Sequence, residues 1–469
     1  MTVPCRRGAC DAPAKPVRIE PAAGNPGVAS ATLGTSEETT AKAGAPLLVP
    51  LEGALLRTDP ALEAGLALLR RQPLALLAWL VRGARTPLLA AARAAGCAPD
   101  AALLPLEPAL VADLEVARRR GQRLLLWTRG DPELARAIAD RLGLFEGVVV
   151  ESDAARAAAS LGANIAAVRR PRPAGRVALG LWLQAIRVHQ WAKNLLVLLP
   201  VLLAGPLATV ADWTAAAVAF LVLSLTASAG YLINDLLDLE ADRRHPTKRE
   251  RPFASGELPL RAGLSAVPAL LAPAAVVASL LPRPFAFAGA GYLLLTLAYS
   301  LALKRIPLLD VVVLGGLFSI RVLAGAEVIS APFSYWLLTI AMFLFLSLAL
   351  VKRYAELDQL VRHGGSELSD RGGYSTNDLP LLLALGVSAG MVATSIFVVY
   401  LVTEQVPRPI YSRPGWLWLV FPVLLLWLAR VWRLALHGRM SQDPVLFALT
   451  DRPSLAMGAA VLACLIAAW

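Results

Sequence analysis

The run Asn234-Asp235-Leu236-Leu237-Asp238-Leu239-Glu240-Ala241-Asp242 decides how this chain is read, because it closes a long apolar stretch. Asn234, Asp238 and Asp242 recur every fourth residue, and on a helix that spacing stacks them on one face. Like charges so placed repel by about 0.2–0.5 kcal/mol, and burial at a membrane edge raises the cost. Something cationic must compensate. A hard divalent ion held by carboxylate and amide oxygens suits these donors, and Mg2+ commonly takes one or two carboxylates plus substrate phosphates. The plainer alternative is a solvated acidic helix end. Against it stands the cationic run that follows at once, Arg243-Arg244-His245-Pro246-Thr247-Lys248-Arg249-Glu250-Arg251. Acidic metal ligands beside clustered Arg and Lys make a site for a metal-bridged diphosphate.

Outward from this motif the chain is strongly apolar: 57% of its 469 residues are hydrophobic. Apolar runs recur near 192–209, 212–234, 262–281, 285–302, 309–329, 335–351, 380–402, 415–436 and 453–468. Each is long enough to cross a hydrocarbon core about 30 Å thick, so nine membrane-spanning helices are expected. The net charge of +11 does not point to nucleic acid. Most Arg and Lys residues flank the apolar runs, where lipid headgroups and topology account for them. The loop after the second span carries Arg243, Arg244, Lys248, Arg249 and Arg251. Lys304 and Arg305 follow the fourth span, and Lys352, Arg353, Arg362 and Arg371 the sixth. The opposite loops hold only Arg283, Arg408 and Arg413. By the positive-inside rule the N-terminal arm and the even-numbered loops face the cytoplasm. The expected location is the inner (plasma) membrane, multi-pass. Without an apolar leader, the first span is expected to act as the insertion signal.

The four cysteines, Cys5, Cys10, Cys97 and Cys464, are scattered and imply no disulfide framework. His189, His245, His363 and His437 are isolated, and no zinc spacing occurs. The Trp residues near span ends suit interfacial anchors.

The acidic motif resembles that of the UbiA superfamily of intramembrane prenyltransferases, whose first signature, N-D-x-x-D-x-x-x-D after the second helix, is reproduced in full at Asn234–Asp242. The resemblance covers roughly 180–469. It implies an all-α polytopic bundle of about nine transmembrane helices with Mg2+ as cofactor, bound through Asn234, Asp238 and Asp242. The family's second acidic motif, commonly D-x-x-x-D, is not reproduced. Its counterpart is Tyr299-Ser-Leu-Ala-Leu-Lys304-Arg305-Ile-Pro-Leu-Leu-Asp310, followed by Arg321. One carboxylate stands there with three cations, which suggests a second anionic group bound directly by side chains.

Further runs extend the pattern: His189-Gln-Trp-Ala-Lys193-Asn194, Lys352-Arg-Tyr-Ala-Glu356 and Asp451-Arg-Pro453. Together they look like the branch typified by decaprenyl-phosphate phosphoribosyltransferase, which moves 5-phosphoribose from phosphoribosyl diphosphate to a polyprenyl phosphate, a cell wall precursor. That likeness implies Lys193, Arg243, Lys248, Arg249, Arg251, Lys304 and Arg321 as phosphate ligands. His245, Tyr299 and Lys352 are added as substrate contacts, and Asp235, Asp238, Asp242 and Lys248 as catalytic candidates. For each cation alone, topology or headgroup contact is the plain alternative. Arg321 is the sharpest case, since a charge within an apolar span costs at least about 2.5 kcal/mol on insertion scales. Pairing with Asp310 or Glu327 would be its structural explanation. The competing enzymatic reading is a prenyltransferase using a prenyl diphosphate and an aromatic or other small acceptor. A transporter or scaffold would leave the stacked carboxylates unexplained.

Residues 1–44 read as a disordered arm. Residues 45–167 read as a small soluble α/β domain, with strands at Pro46–Leu51, Arg123–Trp127 and Gly147–Val150 alternating with helical stretches, hence a parallel sheet. A basic, Pro-stiffened linker spans 168–179 before the transferase domain, 180–469. The α/β module resembles a degenerate haloacid-dehalogenase (HAD) domain. That family opens on D-x-D-G-T, and the matching run is Pro50-Leu51-Glu52-Gly53-Ala54. Pro50 stands at the nucleophile's position, and Thr128 matches the second motif. No Lys occurs between Lys42 and Lys193, so the family's charge-balancing Lys is missing. Without the nucleophile no aspartyl intermediate forms, and the module is expected to be inactive as a phosphatase. The implied partners are a polyprenyl lipid, a phosphorylated sugar diphosphate and the membrane, with no nucleic acid and a homo-oligomer left open.

Overall fold

The computed structural model describes residues 20–21, 45–84, 86–161, 163–167, 175–330, 334–362, 367–368, 373–405, 411–440 and 443–469. Cys5, Cys10, the linker's Arg169–Pro173, His363, Arg371 and Arg408 lie outside them. The chain divides into two compact units. The first takes in Met1–Trp182 and Asp235–Gly263, the second Leu183–Asn234 and Leu264–Trp469.

The first unit is built on a five-stranded sheet, β1 (Glu20–Pro21), β2 (Leu47–Pro50), β3 (Leu124–Thr128), β4 (Gly147–Val150) and β5 (Asn164–Ala167). Its order is β1-β5-β2-β3-β4. β2 runs parallel to β3 and β5, and β3 parallel to β4, while β1 is antiparallel to β5. The three expected strands therefore form within a residue of their predicted limits. β5 escaped the sequence reading because Asn-Ile-Ala-Ala carries little β-propensity. Residues 20–21 fall inside the arm read as disordered, yet they pair at the sheet edge.

Helix α1 (Pro60–Arg71) begins where physics favours it: the Asp59 side chain accepts hydrogen bonds from Ala61 and Leu62 N–H groups, and Pro60 needs no donor at the first position. The remaining helices of the module are α2 (Pro73–Val81), α3 (Leu88–Ala94), α4 (Pro108–Arg119), α5 (Pro132–Leu142) and α6 (Ala154–Leu161). Leu68, Leu110, Leu114, Leu124, Leu126 and Ile138 form the centre of its core.

Among the described residues eight helices are long and apolar enough to cross a membrane, and a ninth span results if Pro444–Thr450 and Arg452–Ala468, bent by 81°, count as one. The first of the eight starts at Val188, four residues before the expected limit. Within the second unit, the helices Leu309–Val328 and Tyr335–Arg362 carry much of the buried surface, including Phe318, Val322, Phe345 and Leu348. Gly386 is required where three helices meet. A Cβ there would lie 2.1 Å from the Trp432 ring, whose Nε1 donates to Ser347 Oγ, and Ser347 in turn donates to the Gly386 carbonyl.

Candidate active site

The helix that carries the acidic motif runs from Val210 to Leu237. Its start is held by a reciprocal cap, in which the Asp212 carboxylate accepts from Thr209 N and Oγ1 while Asp212 N donates to Thr209 Oγ1. The expected continuous stack of Asn234, Asp238 and Asp242 on one helix needs correction. The helix stops at Leu237, Asp238 adopts φ −97° and ψ 11°, and a separate short helix, Leu239–Arg244, begins after it. Crowded like charges favour such a break, and one outside donor stabilises it twice: Arg70 Nη1 donates to the Leu237 carbonyl at 2.9 Å and to Asp238 Oδ1 at 2.8 Å.

In the first unit all three aspartates are buried, Asp235 to 3%, Asp238 to 8% and Asp242 to 4% exposure. Buried carboxylates must be paired, and these are. Arg251 Nη1 bridges Asp235 Oδ1 at 3.1 Å and Asp242 Oδ2 at 2.7 Å. Burial pushes the Asp242 carboxyl above its ordinary range; Arg251 opposes the shift, and Asp235 and Asp238 add to it. Arg243 turns to Glu63, giving two bonds of 2.8 and 2.6 Å, while its Nε donates to the Ala254 carbonyl. His245 ends the short helix, with its Nδ1 3.3 Å from Thr247 N and 3.4 Å from Lys248 N. Lys248 is half-buried and Arg249 exposed, both in the turn Lys248–Glu250.

In the second unit, Lys304 is buried and donates to Asn234 Oδ1 at 3.3 Å, so a cation and an amide from opposite ends of the sequence pattern meet. Tyr299 is half-buried against the core that includes Tyr292 and Leu317. Lys193 and Lys352 converge on Asp443 Oδ2 at 2.7 and 3.2 Å. Burial raises the Asp443 carboxyl, but the two ammonium groups outweigh it and hold the group well below the usual range.

Arg321 is 5% exposed. Among the described residues it forms no ion pair with Asp310, Glu327 or any other carboxylate. It donates instead to Asn194 Oδ1 at 2.8 Å, to Tyr292 Oη at 2.9 Å and to the Leu317 carbonyl, and lies over the Tyr292 ring at 4.6 Å. Lys193 and Arg321 flank the same Phe318 ring, at 5.8 and 5.4 Å. Asp310, the one carboxylate of the altered second motif, is fully buried and taken up by Arg353 Nη2 and by Tyr374 Oη at 2.6 Å. Asp451 pairs with Arg430 and caps the final helix through Ser454, which is a structural role.

Sequence reasoning missed Asp443, Asn194 and Arg353 as site-forming groups, and Glu63 and Arg70 altogether. An Asp-Pro step at Asp443-Pro444 signals a helix cap, which the structure confirms through Val445 N, but nothing local announces the two lysines. Among the described residues no three His, Cys, Asp or Glu side chains gather as a metal cage. The donors fit a hard divalent ion nonetheless. They are all oxygens, the Asp238 and Asp242 carboxylates are buried, and Mg2+ needs only one or two carboxylates when substrate phosphates supply the rest.

The model of the UbiA prenyltransferase family matches residues 195–451. An uncharacterised protein of Sinorhizobium fredii, y4nM, is 38% identical over 290 residues, 61% of this chain and 55% of that protein. Nodulation protein NoeC of Azorhizobium caulinodans is 35% identical over 60% of this chain and 91% of its own length. Decaprenyl-phosphate phosphoribosyltransferase of Mycolicibacterium smegmatis is 38% identical over 46% of this chain and 69% of its own. The chain thus spans little more than half the length of the first of these relatives.

Proposed function

The chain belongs to the UbiA prenyltransferase family, an integral-membrane transferase family, and we propose that its reaction is the transfer of 5-phosphoribose from phosphoribosyl diphosphate to a polyprenyl phosphate. The observation that carries this reading is the fate of the second motif. Its single carboxylate, Asp310, is consumed by Arg353 and Tyr374, whereas Lys193, Lys304, Arg321 and Lys352 supply cations in the same unit. Among the described residues of this motif, no carboxylate is left to hold a second metal-bound diphosphate. Anionic groups bound directly by side chains find partners there, as a lipid phosphate or sugar phosphate requires. Identity to a decaprenyl-phosphate phosphoribosyltransferase supports the same reading.

In this mechanism Asp238, Asp242 and Asn234 are the residues that would hold Mg2+, and the ion would supply charge neutralisation for the leaving diphosphate. Asp235 and Arg251 fix the acidic motif, and Arg251, Lys248 and Arg249 bind diphosphate oxygens. Tyr299 and His245 border the substrate. The acceptor phosphate attacks the anomeric carbon, the bond from that carbon to the diphosphate oxygen breaks, and the chain's cations offset the charge of both anionic partners. We place the chain in the inner membrane, with the acidic loop and the N-terminal module cytoplasmic on the positive-inside rule. That module we read as an inactive HAD-like domain. Pro50 ends β2 where a nucleophile would stand, and Glu52 and Thr128 are hydrogen-bonded to each other.

The decisive test is incubation with labelled phosphoribosyl diphosphate and a polyprenyl phosphate, then lipid extraction and mass measurement. Lipid gaining one phosphoribosyl group is the expected result. Unlabelled lipid, together with consumption of a prenyl diphosphate, would establish the prenyltransferase alternative that the family description favours.

A further inference from the structure

Within the first unit, the acidic motif takes its partners from helix α1 of the N-terminal module. Glu63 and Arg70 are seven residues apart, two helical turns, and so share one face of α1. Arg70 meets Asp238 Oδ1 at 2.8 Å and the Leu237 carbonyl at 2.9 Å, the latter a group that the helix break leaves without an intrahelical partner. Glu63 takes both terminal nitrogens of Arg243, and the two side chains are only 6% and 7% exposed. Arg71 adds a contact to Glu240 at 2.6 Å. Further along the loop, Gly256 has φ +74°, and a Cβ there would lie 2.5 Å from Arg57 Cβ and 3.0 Å from its carbonyl oxygen. Charge therefore alternates along the contact: a module cation on a motif carboxylate, and a module carboxylate on a motif cation. None of these groups belongs to the Glu52–Thr128 strand ends where HAD chemistry would sit.

We propose that Arg70 is a positioning residue for Asp238, and Glu63 for Arg243, so that the N-terminal module builds the geometry of the acidic motif. The inference rests on the reading of that motif as the diphosphate site. A carboxylate ligand holds a metal well only when its own rotamer is fixed by an outer hydrogen bond, and loss of such a partner costs roughly 10–100-fold in metal affinity. Arg70 provides that bond at Asp238 and tethers the helix end from which Asp238 projects. Glu63 neutralises Arg243 away from the carboxylates, and Arg251 bridges Asp235 and Asp242. This gives a module without phosphatase chemistry a physical reason to be part of the chain.

The test uses the full chain in detergent micelles. Amide hydrogen exchange across residues 235–258 is compared in wild type, Glu63→Ala, Arg70→Ala and the charge swap Glu63→Arg with Arg243→Glu. Each alanine variant is expected to speed exchange in the loop by about tenfold or more, and the swap to restore protection. In the transfer assay Arg70→Ala raises the Mg2+ concentration for half-maximal rate by about 10–100-fold with little change in the saturated rate, and Arg70→Lys falls between. Unchanged exchange in both alanine variants overturns the proposal, as does an active Arg70→Ala enzyme whose Mg2+ requirement is unchanged or lowered, which would make the contact a latch. If no donor is turned over by wild type, the functional reading fails, and the exchange measurements still decide the positioning.

Discussion

Replacing Asp310 by Asn removes one negative charge from a fully buried site while keeping its shape. Asp310 accepts from Arg353, itself 1% exposed, and from Tyr374 Oη, whose oxygen accepts in turn from Leu308 N at 2.7 Å. Burial, with the bond to Asp310, pushes the Tyr374 phenol far above its usual range, so it stays a donor. An amide oxygen can still accept from one donor, but the Arg353 guanidinium is left with Glu356, a half-exposed partner. Breaking a buried pair by removing one member costs about 3–5 kcal/mol, and the surviving Glu356 contact puts this case near the lower end, about 3 kcal/mol. That is roughly two decades in the unfolding equilibrium. Arg353→Met alone leaves Asp310 as an uncompensated buried anion and should cost a similar amount. In the double variant neither charge is stranded, so its loss should fall short of the sum by about 1.5–3 kcal/mol. The assay is unfolding in mixed micelles of rising SDS fraction, followed by Trp fluorescence. Asp310→Asn within about 0.5 kcal/mol of wild type, or strictly additive losses, would refute the reasoning.

Three other outcomes are expected. Asp238→Ala should yield no transfer product at any Mg2+ concentration, as seen by lipid mass measurement. Asp443→Asn leaves Lys193 and Lys352 without their shared counter-ion and should lower stability by about 3 kcal/mol at neutral pH. Because the Asp443 pKa is depressed in the fold, that contribution is present above the unfolded value of about 3.9 and lost as pH falls through the folded one. An acid titration of thermal stability should therefore show the gap between wild type and variant closing only below about pH 4. Gly386→Ala drives a methyl into Trp432 and should lower the midpoint of unfolding by an amount equivalent to about 1–3 kcal/mol.

Much of the architecture was legible in the residues because its causes are local. A bilayer demands apolar runs of a set length, and eight or nine of them are found close to where the hydropathy pattern puts them. Strand–helix alternation between Leu47 and Val150 likewise foretells a parallel sheet. Weakly apolar β5 and the short β1 carry no such pattern, and neither was foreseen. The acidic motif announced itself through spacing, but spacing could not reveal that its helix breaks at Asp238, since Arg70, the donor that stabilises the break, lies on α1.

The sequence by itself determined that this is a membrane protein with a motif suited to a metal-bridged diphosphate, because hydropathy, charge type and period are properties of neighbouring residues. Only the tertiary structure decided which charge answers which. Glu63 reaches Arg243 across 180 residues of chain, and Lys193 reaches Asp443 across 250. Asp310, which on paper is one of the partners open to Arg321, is held by Arg353 and Tyr374, and Arg321 is satisfied by Asn194, Tyr292 and a backbone carbonyl. A buried charge selects its partner by which elements packing brings within about 3 Å, and no local pattern encodes that choice.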